Sequence, residues 1–313
     1  MTKKVAVPAN LSQAGKDYLV NHGFELIETA DQHADTLAKE ASDADGIVLM
    51  TDPFPNDMVN KMPNLKVIAR HGVGFDNVDQ DYFGENGIWV TITPNANAST
   101  VAETTLAAML NTSTNLTQDI NHMKNGEWNW ASQHKGFDLA GKTLGIMGYG
   151  RIGRMVAAKA AGFDMNVIAY DPFAKEDGNA KLVDRDTLLK TSDIITLHML
   201  VTPETTHSIG KKEFQEMKPS ATLINFGRAA LVDQKAMQEA LRDGEIAHGF
   251  VDVYDEEPLP KDDPWYSTPN VELTPHIASN TKECMSRMAT DAASEVVRVL
   301  DGEQPKWNVN QIK

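Results

Sequence analysis

Several features are scarce in this chain of 313 residues, and each scarcity excludes a class of protein. The single cysteine, Cys284, cannot form an internal disulfide, so we expect a protein of the reducing cytoplasm. No apolar run approaches the length of a membrane span, and Pro8 interrupts the first one. Basic residues are outnumbered, 29 to 44, and the net charge of -15 would repel nucleic acid and anionic membranes. We therefore expect neither of these as a partner.

Short apolar runs that alternate with helix-like stretches fill both halves of the chain. This alternation is typical of a parallel sheet with helices on both faces. Before residue 100 we predict four strands, at residues 5–7, 47–50, 67–69 and 88–92. The rhythm starts again after Lys142 and predicts strands at residues 143–147, 167–170, 194–197, 222–225, 249–253 and 271–273. This second set has the number of strands of a complete dinucleotide-binding sheet.

The restart of the rhythm indicates two domains. Thr100 and Glu103 have the spacing of a capping box and predict the start of a helix that crosses into the second domain. A helix at about residues 282–300 should return to the first. We predict an α/β fold with two doubly wound parallel-sheet domains. A Rossmann NAD-binding domain, residues 100–283, is inserted into a flavodoxin-like substrate domain made of residues 1–99 and 284–313.

A glycine-rich turn follows the predicted strand 143–147 and precedes a helix-like stretch. Gly148 permits a tight turn, Gly150 lets backbone N–H groups approach a pyrophosphate, and Gly153 lets the helix lie close to the strand. The anion would then sit at the positive end of that helix. The predicted cofactor-binding residues of this turn are Gly148, Gly150, Arg151, Ile152 and Gly153.

Asp171 ends the next predicted strand, about 20 residues after the glycine turn, where dinucleotide-binding folds place an acidic residue. Its carboxylate can accept hydrogen bonds from the adenosine ribose and would repel a 2′-phosphate. NAD is therefore the expected cofactor rather than NADP. The alternative is that Asp171 and Pro172 merely begin a turn.

Three polar residues follow predicted strands in the second half: Arg228, Glu257 and His276. The carboxyl ends of parallel strands border the ligand crevice of a doubly wound sheet, so the three could converge there. A guanidinium can grip a carboxylate through two parallel hydrogen bonds. An imidazole exchanges protons near neutral pH, and a neighbouring carboxylate can orient it. Singly, each has an ordinary explanation as an ion pair, a loop residue or a half-buried histidine.

Several ordered motifs resemble the D-isomer-specific 2-hydroxyacid dehydrogenase family over nearly the whole chain. They are Gly72-Val73-Gly74-Phe75-Asp76-Asn77-Val78-Asp79, the glycine turn at 148–153, Asn225-Phe226-Gly227-Arg228, Asp252-Val253-Tyr254-Asp255-Glu256-Glu257-Pro258 and Thr274-Pro275-His276-Ile277-Ala278. The first of these is closest to the phosphoglycerate and hydroxypyruvate-type members. Glu257 differs from the glutamine that pairs with the histidine in the related formate dehydrogenases.

The resemblance implies a role for each candidate residue. Arg228 would bind the substrate carboxylate and polarise the carbonyl, His276 would be the acid/base, and Glu257 would pair with His276. Asp252 would contact the nicotinamide carboxamide, and backbone groups of residues 72–74 would hold the substrate carboxylate from the other side. The full predicted set adds Phe226 on the cofactor and Arg70, His71, Gly72, Val73 and Gly74 on the substrate.

The implied activity is NAD-dependent interconversion of a small D-2-hydroxy acid and its 2-keto acid by hydride transfer. The partners would be this anionic substrate and a second copy of the chain in a homodimer, and no metal is expected. Because only a short tail follows Gly302, we expect no regulatory domain of the kind that long phosphoglycerate dehydrogenases carry.

Two alternatives stay open. Arg70 could supply positive charge to a substrate phosphate, or it could neutralise nearby acidic residues. His71, where a small residue is common, could add a donor or reduce space. Relatives of this fold also act as NAD-sensing corepressors, in which the cofactor changes assembly. A sensor would bind NADH without turning over any keto acid.

Overall fold

A computed structural model describes residues 2–313, and its strands form two parallel sheets. The strands are β1 (Lys4–Pro8), β2 (Glu25–Thr29), β3 (Gly46–Leu49), β4 (Val67–Arg70), β5 (Trp89–Thr91), β6 (Thr143–Met147), β7 (Asn166–Tyr170), β8 (Lys181–Leu182), β9 (Ile194–Leu197), β10 (Thr222–Asn225), β11 (His248–Val251) and β12 (Val271–Leu273).

Twelve α-helices connect these strands within the described residues. They are α1 (Gln13–Asn21), α2 (Ala34–Glu40), α3 (Met58–Lys61), α4 (Gln80–Glu85), α5 (Ala98–Thr114), α6 (Leu116–Lys124), α7 (Trp130–Gln133), α8 (Arg151–Ala160), α9 (Arg185–Thr191), α10 (Lys211–Glu216), α11 (Gln234–Asp243) and α12 (Lys282–Leu300). Among residues 2–313, no helix combines the length and apolar character that crossing a bilayer requires.

The chain divides into two compact units. The first unit contains the residues up to Asn97 together with Asn280–Lys313, and the second unit is Ala98–Ser279. Both crossings come slightly before the boundaries predicted at residues 99 and 283. Each unit has its own sheet and its own buried apolar clusters.

The first unit is built on a five-stranded parallel sheet in the order β2-β1-β3-β4-β5, the flavodoxin-like order. Helix α12 packs against α1, β3 and β4, and supplies alanines and valines to the core. The side chain of Thr281 caps α12 by accepting the backbone N–H of Cys284. The α/β class with two doubly wound sheets, predicted from the sequence, is confirmed.

The free edge of β5 is covered by the C-terminal segment, residues 307–310. The backbone N–H of Ile92 donates to the carbonyl of Trp307, and that of Val309 donates to the carbonyl of Val90. The buried amide of Asn310 accepts the N–H of Val90 and donates to two backbone carbonyls. This segment therefore satisfies the backbone groups that an edge strand would otherwise expose.

The second unit contains a seven-stranded parallel sheet in the order β12-β11-β10-β9-β6-β7-β8. Counted from β6, this is the Rossmann order with one further strand at the β12 edge. Strands β9 and β10 are buried along their whole length, which explains their continuous apolar sequence. The glycine turn, Arg228, Asp252 and His276 all follow the carboxyl ends of strands in this sheet.

Three sequence predictions need correction. The edge strand β2 is only partly buried and has no continuous apolar run, so it was missed. The edge strand β8, two residues long, was missed because it is too short to show a pattern. Helix α5 begins at Ala98, so Thr100 lies inside the helix and the capping box predicted there is wrong. The Glu103 carboxylate bonds the side chains of Ser99 and Lys159.

Candidate active site

The glycine turn between β6 and α8 is a tightly packed backbone structure. Gly148 has φ +90°, and a Cβ atom there would lie 2.6 Å from the backbone of His198. A Cβ atom at Gly153 would lie 2.2 Å from the carbonyl oxygen of Gly148. Gly150 differs, because no described residue other than its two chain neighbours has an atom within 4 Å of a Cβ built there. Two glycines therefore close the turn, and the third leaves space beside it.

That space lies where α8 begins, at Arg151. The first N–H groups of a helix have no partner inside the helix, so they can bind an anion in this position. The predicted residues Arg151 and Ile152 occupy the first turn of α8, and their backbone carries the N–H groups concerned. Within the second unit, this donor set and the open position at Gly150 fit the pyrophosphate of a dinucleotide.

Asp171, directly after β7, has its carboxylate fixed by two backbone groups. The N–H of Tyr149 donates to Oδ2 and the N–H of Phe173 donates to Oδ1, each at 2.9 Å. The bond to Phe173 closes a turn, so the turn interpretation of Asp171 also describes the molecule. Each oxygen retains a further acceptor position. The carboxylate is thus oriented and can still accept ribose hydroxyl groups.

Glu257 and His276 form the central pair of the candidate site. The Nδ1 atom of His276 lies 2.7 Å from Oε2 of Glu257, and Oε1 of Glu257 accepts the backbone N–H of Tyr254 at 3.0 Å. A carboxylate can only accept, so Nδ1 of His276 carries the proton. Proton exchange with a substrate then falls to Nε2. The His276 side chain is 37% exposed, which gives a substrate access to it.

The pKa of Glu257 is lower than that of an ordinary glutamate. Burial raises this pKa. The opposite effect is larger, because Glu257 accepts hydrogen bonds from His276 and the Tyr254 N–H and lies near the positive charge of Arg228. The carboxylate is therefore ionised at neutral pH and accepts a charge-assisted hydrogen bond from the imidazole beside it. Because the charge of Arg228 helps to lower the pKa of Glu257, its guanidinium lies within electrostatic reach of this carboxylate.

Arg228 follows β10 in a turn that is shaped by the side chain of Asn225. Asn225 Oδ1 accepts the N–H of Gly227 at 3.1 Å, and its Nδ2 donates to the carbonyl of Arg228 at 3.0 Å. The guanidinium donates from Nη1 to the carbonyl of Gly227 at 2.9 Å. Asn225 thus directs the arginine, a function that its place in the sequence motif did not reveal.

Asp252 bonds residues on both sides of His276, through a hydroxyl on one side and two backbone N–H groups on the other. Its carboxylate is 1% exposed and accepts hydrogen bonds from Thr274 Oγ1, Ile277 N and Ala278 N at 2.6 to 2.8 Å. His276 itself has φ +53°, a left-handed conformation that is costly for a residue with a side chain. Burial raises the pKa of Asp252, against the lowering effect of these bonds. Sequence reasoning missed this contact with the histidine turn.

Phe226 belongs to the apolar core of the second unit. It is 6% exposed, and its ring meets that of Phe250 edge to face, with 5.3 Å between the centroids. The side chain is therefore engaged in packing. Any contact with a cofactor would fall to the Phe226 backbone.

In the first unit, Arg70 anchors the glycine loop at residues 72–74. Its guanidinium donates to the carbonyls of Leu49 at 2.7 Å and Gly74 at 3.0 Å, and the residue is only 5% exposed. Neither of the two interpretations of Arg70 included these backbone bonds. His71 is also buried, with Nε2 at 3.3 Å from the carbonyl of Met285, and burial lowers its pKa to about 4.

Comparison with known proteins gives consistent results along the chain. Residues 106–278 match the model of the D-isomer specific 2-hydroxyacid dehydrogenase NAD-binding domain. A glyoxylate reductase of Korarchaeum cryptofilum is 36% identical over 99% of this chain and 97% of its own. A D-3-phosphoglycerate dehydrogenase of Methanocaldococcus jannaschii is 40% identical over 88% of this chain, which spans only 53% of that relative.

Among solved structures, an NAD-dependent formate dehydrogenase of Staphylococcus aureus in complex with NAD superposes with a TM-score of 0.89. It is 30% identical, and the match covers 99% of this chain and 100% of that one.

Proposed function

Because the chain belongs to the D-isomer specific 2-hydroxyacid dehydrogenase family, we propose that it reduces a small 2-keto acid of the glyoxylate or hydroxypyruvate class, with NADH as the coenzyme. The observation that carries this proposal is the hydrogen bond between His276 and Glu257, beside which Arg228 lies within electrostatic reach. Imidazole, carboxylate and guanidinium are the groups that a keto acid needs for protonation and binding.

Each of these residues has a distinct task in the reaction. Arg228 binds the substrate carboxylate through parallel hydrogen bonds and so fixes the direction of the neighbouring carbonyl. His276 gives its Nε2 proton to the carbonyl oxygen during reduction and takes it back during oxidation. Glu257 stabilises the protonated imidazole and holds its orientation. A bound nicotinamide coenzyme supplies the hydride in reduction and accepts it in oxidation.

The coenzyme is held by residues of the second unit. The turn at Gly148, Gly150 and Gly153 with the start of α8 would bind the pyrophosphate, and Asp171 would bind the adenosine ribose. The fixed carboxylate of Asp171 favours NAD over NADP, because a 2′-phosphate would meet a like charge. We assign the substrate loop at residues 72–74 to the first unit.

The state of Arg70 supports a substrate without phosphate. Its guanidinium is 5% exposed and bonded to two carbonyls, so it is poorly placed to receive a bulky dianion. The second candidate is 3-phosphoglycerate, favoured by the 40% identity to a phosphoglycerate dehydrogenase. That relative is about twice as long as the matched region, so its activity does not transfer directly.

A kinetic screen distinguishes these candidates. NADH oxidation is followed with glyoxylate, hydroxypyruvate, pyruvate and 3-phosphohydroxypyruvate. We expect kcat/KM for glyoxylate or hydroxypyruvate to exceed that for the phosphorylated acid by about tenfold or more, as one missing ion pair would produce. The reverse order would favour the phosphoglycerate assignment. NADH binding without turnover of any of the four acids would instead indicate a sensor of the corepressor type.

We further propose a cytoplasmic homodimer that forms through α6 and the segment after it. None of the nine described residues of α6 is buried, and Leu116, Ile120 and Met123 lie on one exposed face of the helix. Trp128, just beyond, is 75% exposed. Such an apolar surface suits a two-fold contact with a second copy. Cys284 is buried and forms no disulfide, which suits the cytoplasm. Sedimentation as a monomer would refute the dimer.

A further inference from the structure

The segment between β7 and β8 is fastened to the glycine turn by one residue, Tyr149. The backbone N–H of Tyr149 donates to the Asp171 carboxylate at the beginning of this segment. Its hydroxyl donates to Oδ1 of Asp177, further along, at 2.6 Å. Tyr149 is 1% exposed, so both bonds are held in a packed environment. The glycine motif leaves the residue type at this position unspecified.

Asp177 is also the counter-ion of Arg154 on α8. Nη1 of Arg154 lies 2.7 Å from Oδ2 of Asp177, and its Nη2 donates to the carbonyl of Lys175 at 2.9 Å. The guanidinium carbon lies 4.5 Å from the centroid of the Tyr149 ring. A hydrogen bond from Tyr149 is the main cause of a lowered pKa at Asp177, so this carboxylate is ionised. Tyr149, Asp177 and Arg154 form one cluster, here called the Tyr149 clamp.

The clamp bears on the choice between NAD and NADP. The two coenzymes differ by a 2′-phosphate on the adenosine ribose, and Asp171 is the residue that would face this ribose. A protein accepts the phosphate when a free cation is available to it and rejects it when a carboxylate is nearby. Arg154 is a cation bonded to this segment, but its guanidinium is engaged by the Asp177 carboxylate and by the carbonyl of Lys175.

We propose that Tyr149 and Asp177 are specificity-determining residues that make the chain reject NADP, by keeping Arg154 paired. A phenylalanine at position 149 could fill the same space as the buried ring, so the hydroxyl contributes only its bond to Asp177. The role goes beyond the assignment of NAD as coenzyme and rests on it.

The test measures binding of NADH and NADPH by calorimetric titration without substrate, and tryptic cleavage after Lys175 in the protein without coenzyme. The variants are Asp177→Asn and Tyr149→Phe. Their matched controls are Glu176→Gln, a neighbouring carboxylate that bonds Leu182 instead, and Tyr266→Phe, an exposed hydroxyl elsewhere in the second unit.

We expect Asp177→Asn to raise the affinity for NADPH relative to NADH by about tenfold, the value of one released ion pair. Tyr149→Phe should raise this ratio by about threefold, because loss of a single neutral-to-charged bond only loosens the segment. Both should speed cleavage after Lys175, and the controls should do neither. Adding Arg154→Met to Asp177→Asn should abolish the gain, since Arg154 is the cation released.

Unchanged coenzyme ratios in both variants would overturn the proposal, even with faster cleavage, because the clamp would then be purely structural. A gain that survives Arg154→Met would overturn it as well. A parent protein that binds neither coenzyme would refute the dinucleotide assignment together with the clamp. Parent binding of NADH with unaltered ratios in the variants would refute the clamp alone.

Discussion

The Nδ1 atom of His276 lies 2.7 Å from Oε2 of Glu257, while the other oxygen of that carboxylate accepts the N–H of Tyr254. The imidazole is therefore held by a group that the backbone fixes in turn. This relationship makes two separate contributions, orientation and charge, and substitutions at each residue distinguish them.

Removal of the imidazole should abolish most of the turnover. We expect His276→Ala to lower kcat by about two to four orders of magnitude, the usual worth of acid/base assistance, with the Kd for NADH nearly unchanged. Because residue 276 has φ +53°, His276→Asn is the better companion variant, since asparagine tolerates this conformation. The exposed His33→Asn serves as a control. Parent-like turnover in both His276 variants would remove it from the mechanism.

Neutralising Glu257 should slow reduction. The pKa of Glu257 lies below its ordinary value, so the carboxylate is charged throughout the neutral range. In Glu257→Gln an uncharged amide faces Nδ1 of His276, and the charge-assisted hydrogen bond that orients the imidazole is lost. We expect kcat to fall by about tenfold, the worth of charge assistance in one hydrogen bond. Kinetics of Glu257→Gln and of the neighbouring Glu256→Gln, which should match the parent, measure this directly.

Asp252→Asn should weaken both the fold and the site. An asparagine amide has one oxygen acceptor and one NH₂ donor, so at least one donor among Thr274, Ile277 and Ala278 would face an NH₂ group in a buried environment. We expect a loss of about 2 kcal/mol of stability and a lower kcat through displacement of His276. Thermal unfolding and kinetics on the same variant check both effects. A variant with parent stability and parent kcat would contradict this role.

Asp171→Ala should reduce discrimination between the coenzymes. Without the carboxylate, NADH loses a hydrogen-bond acceptor and NADPH loses a repulsive charge. We expect the ratio of the NADPH and NADH dissociation constants to fall by about tenfold or more. Titration of both coenzymes gives the ratio, and Asp186→Ala on α9 provides a control of equal charge. Equal use of both coenzymes by the parent would contradict the ribose argument.

His71 should make the protein less stable in mild acid. Burial lowers its pKa from 6.5 to about 4, so the folded state keeps the ring neutral while the unfolded state takes up a proton below pH 6.5. Stability is therefore complete above pH 6.5 and is lost as the pH falls towards 4. Between pH 7 and 5 we expect a loss on the order of 2 kcal/mol from this residue.

The matched variants for this effect are His71→Asn and the exposed His33→Asn. Thermal unfolding of each at pH 7 and pH 5 should give a smaller pH dependence only in His71→Asn. If all three proteins lost the same amount of stability between these pH values, the buried ring would not be the cause.

Part of the fold could be predicted because buried parallel strands have continuous apolar sequences, as in β9 and β10. The helix α12 was predicted at residues 282–300 and confirmed there, since its apolar residues follow the helical period. The edge strands β2 and β8 carry no such run. Their place in the sheet depends on tertiary pairing, which a local pattern does not contain.

The candidate site divides in the same way. Arg228, Glu257 and His276 could be selected because each follows a strand and belongs to an ordered motif. The bonds of Asp252 to the histidine turn and of Tyr149 to Asp177 could not be foreseen, because they join residues far apart in the sequence. Arg70 shows the same limit. The sequence indicated a cation that could bind a substrate phosphate, but the guanidinium is buried and donates to two backbone carbonyls.

The segment at residues 307–310 that covers β5 has a consequence for how molecules of this protein meet each other. An uncovered parallel sheet offers a row of amide and carbonyl groups on which foreign strands can grow into fibres. Here the backbone of residues 307–310 forms hydrogen bonds with β5 and the residue after it, and so covers this edge of the sheet. Resistance to fibrous growth at this margin thus depends on a few residues near the C-terminus, and the large negative charge assists it only at long range.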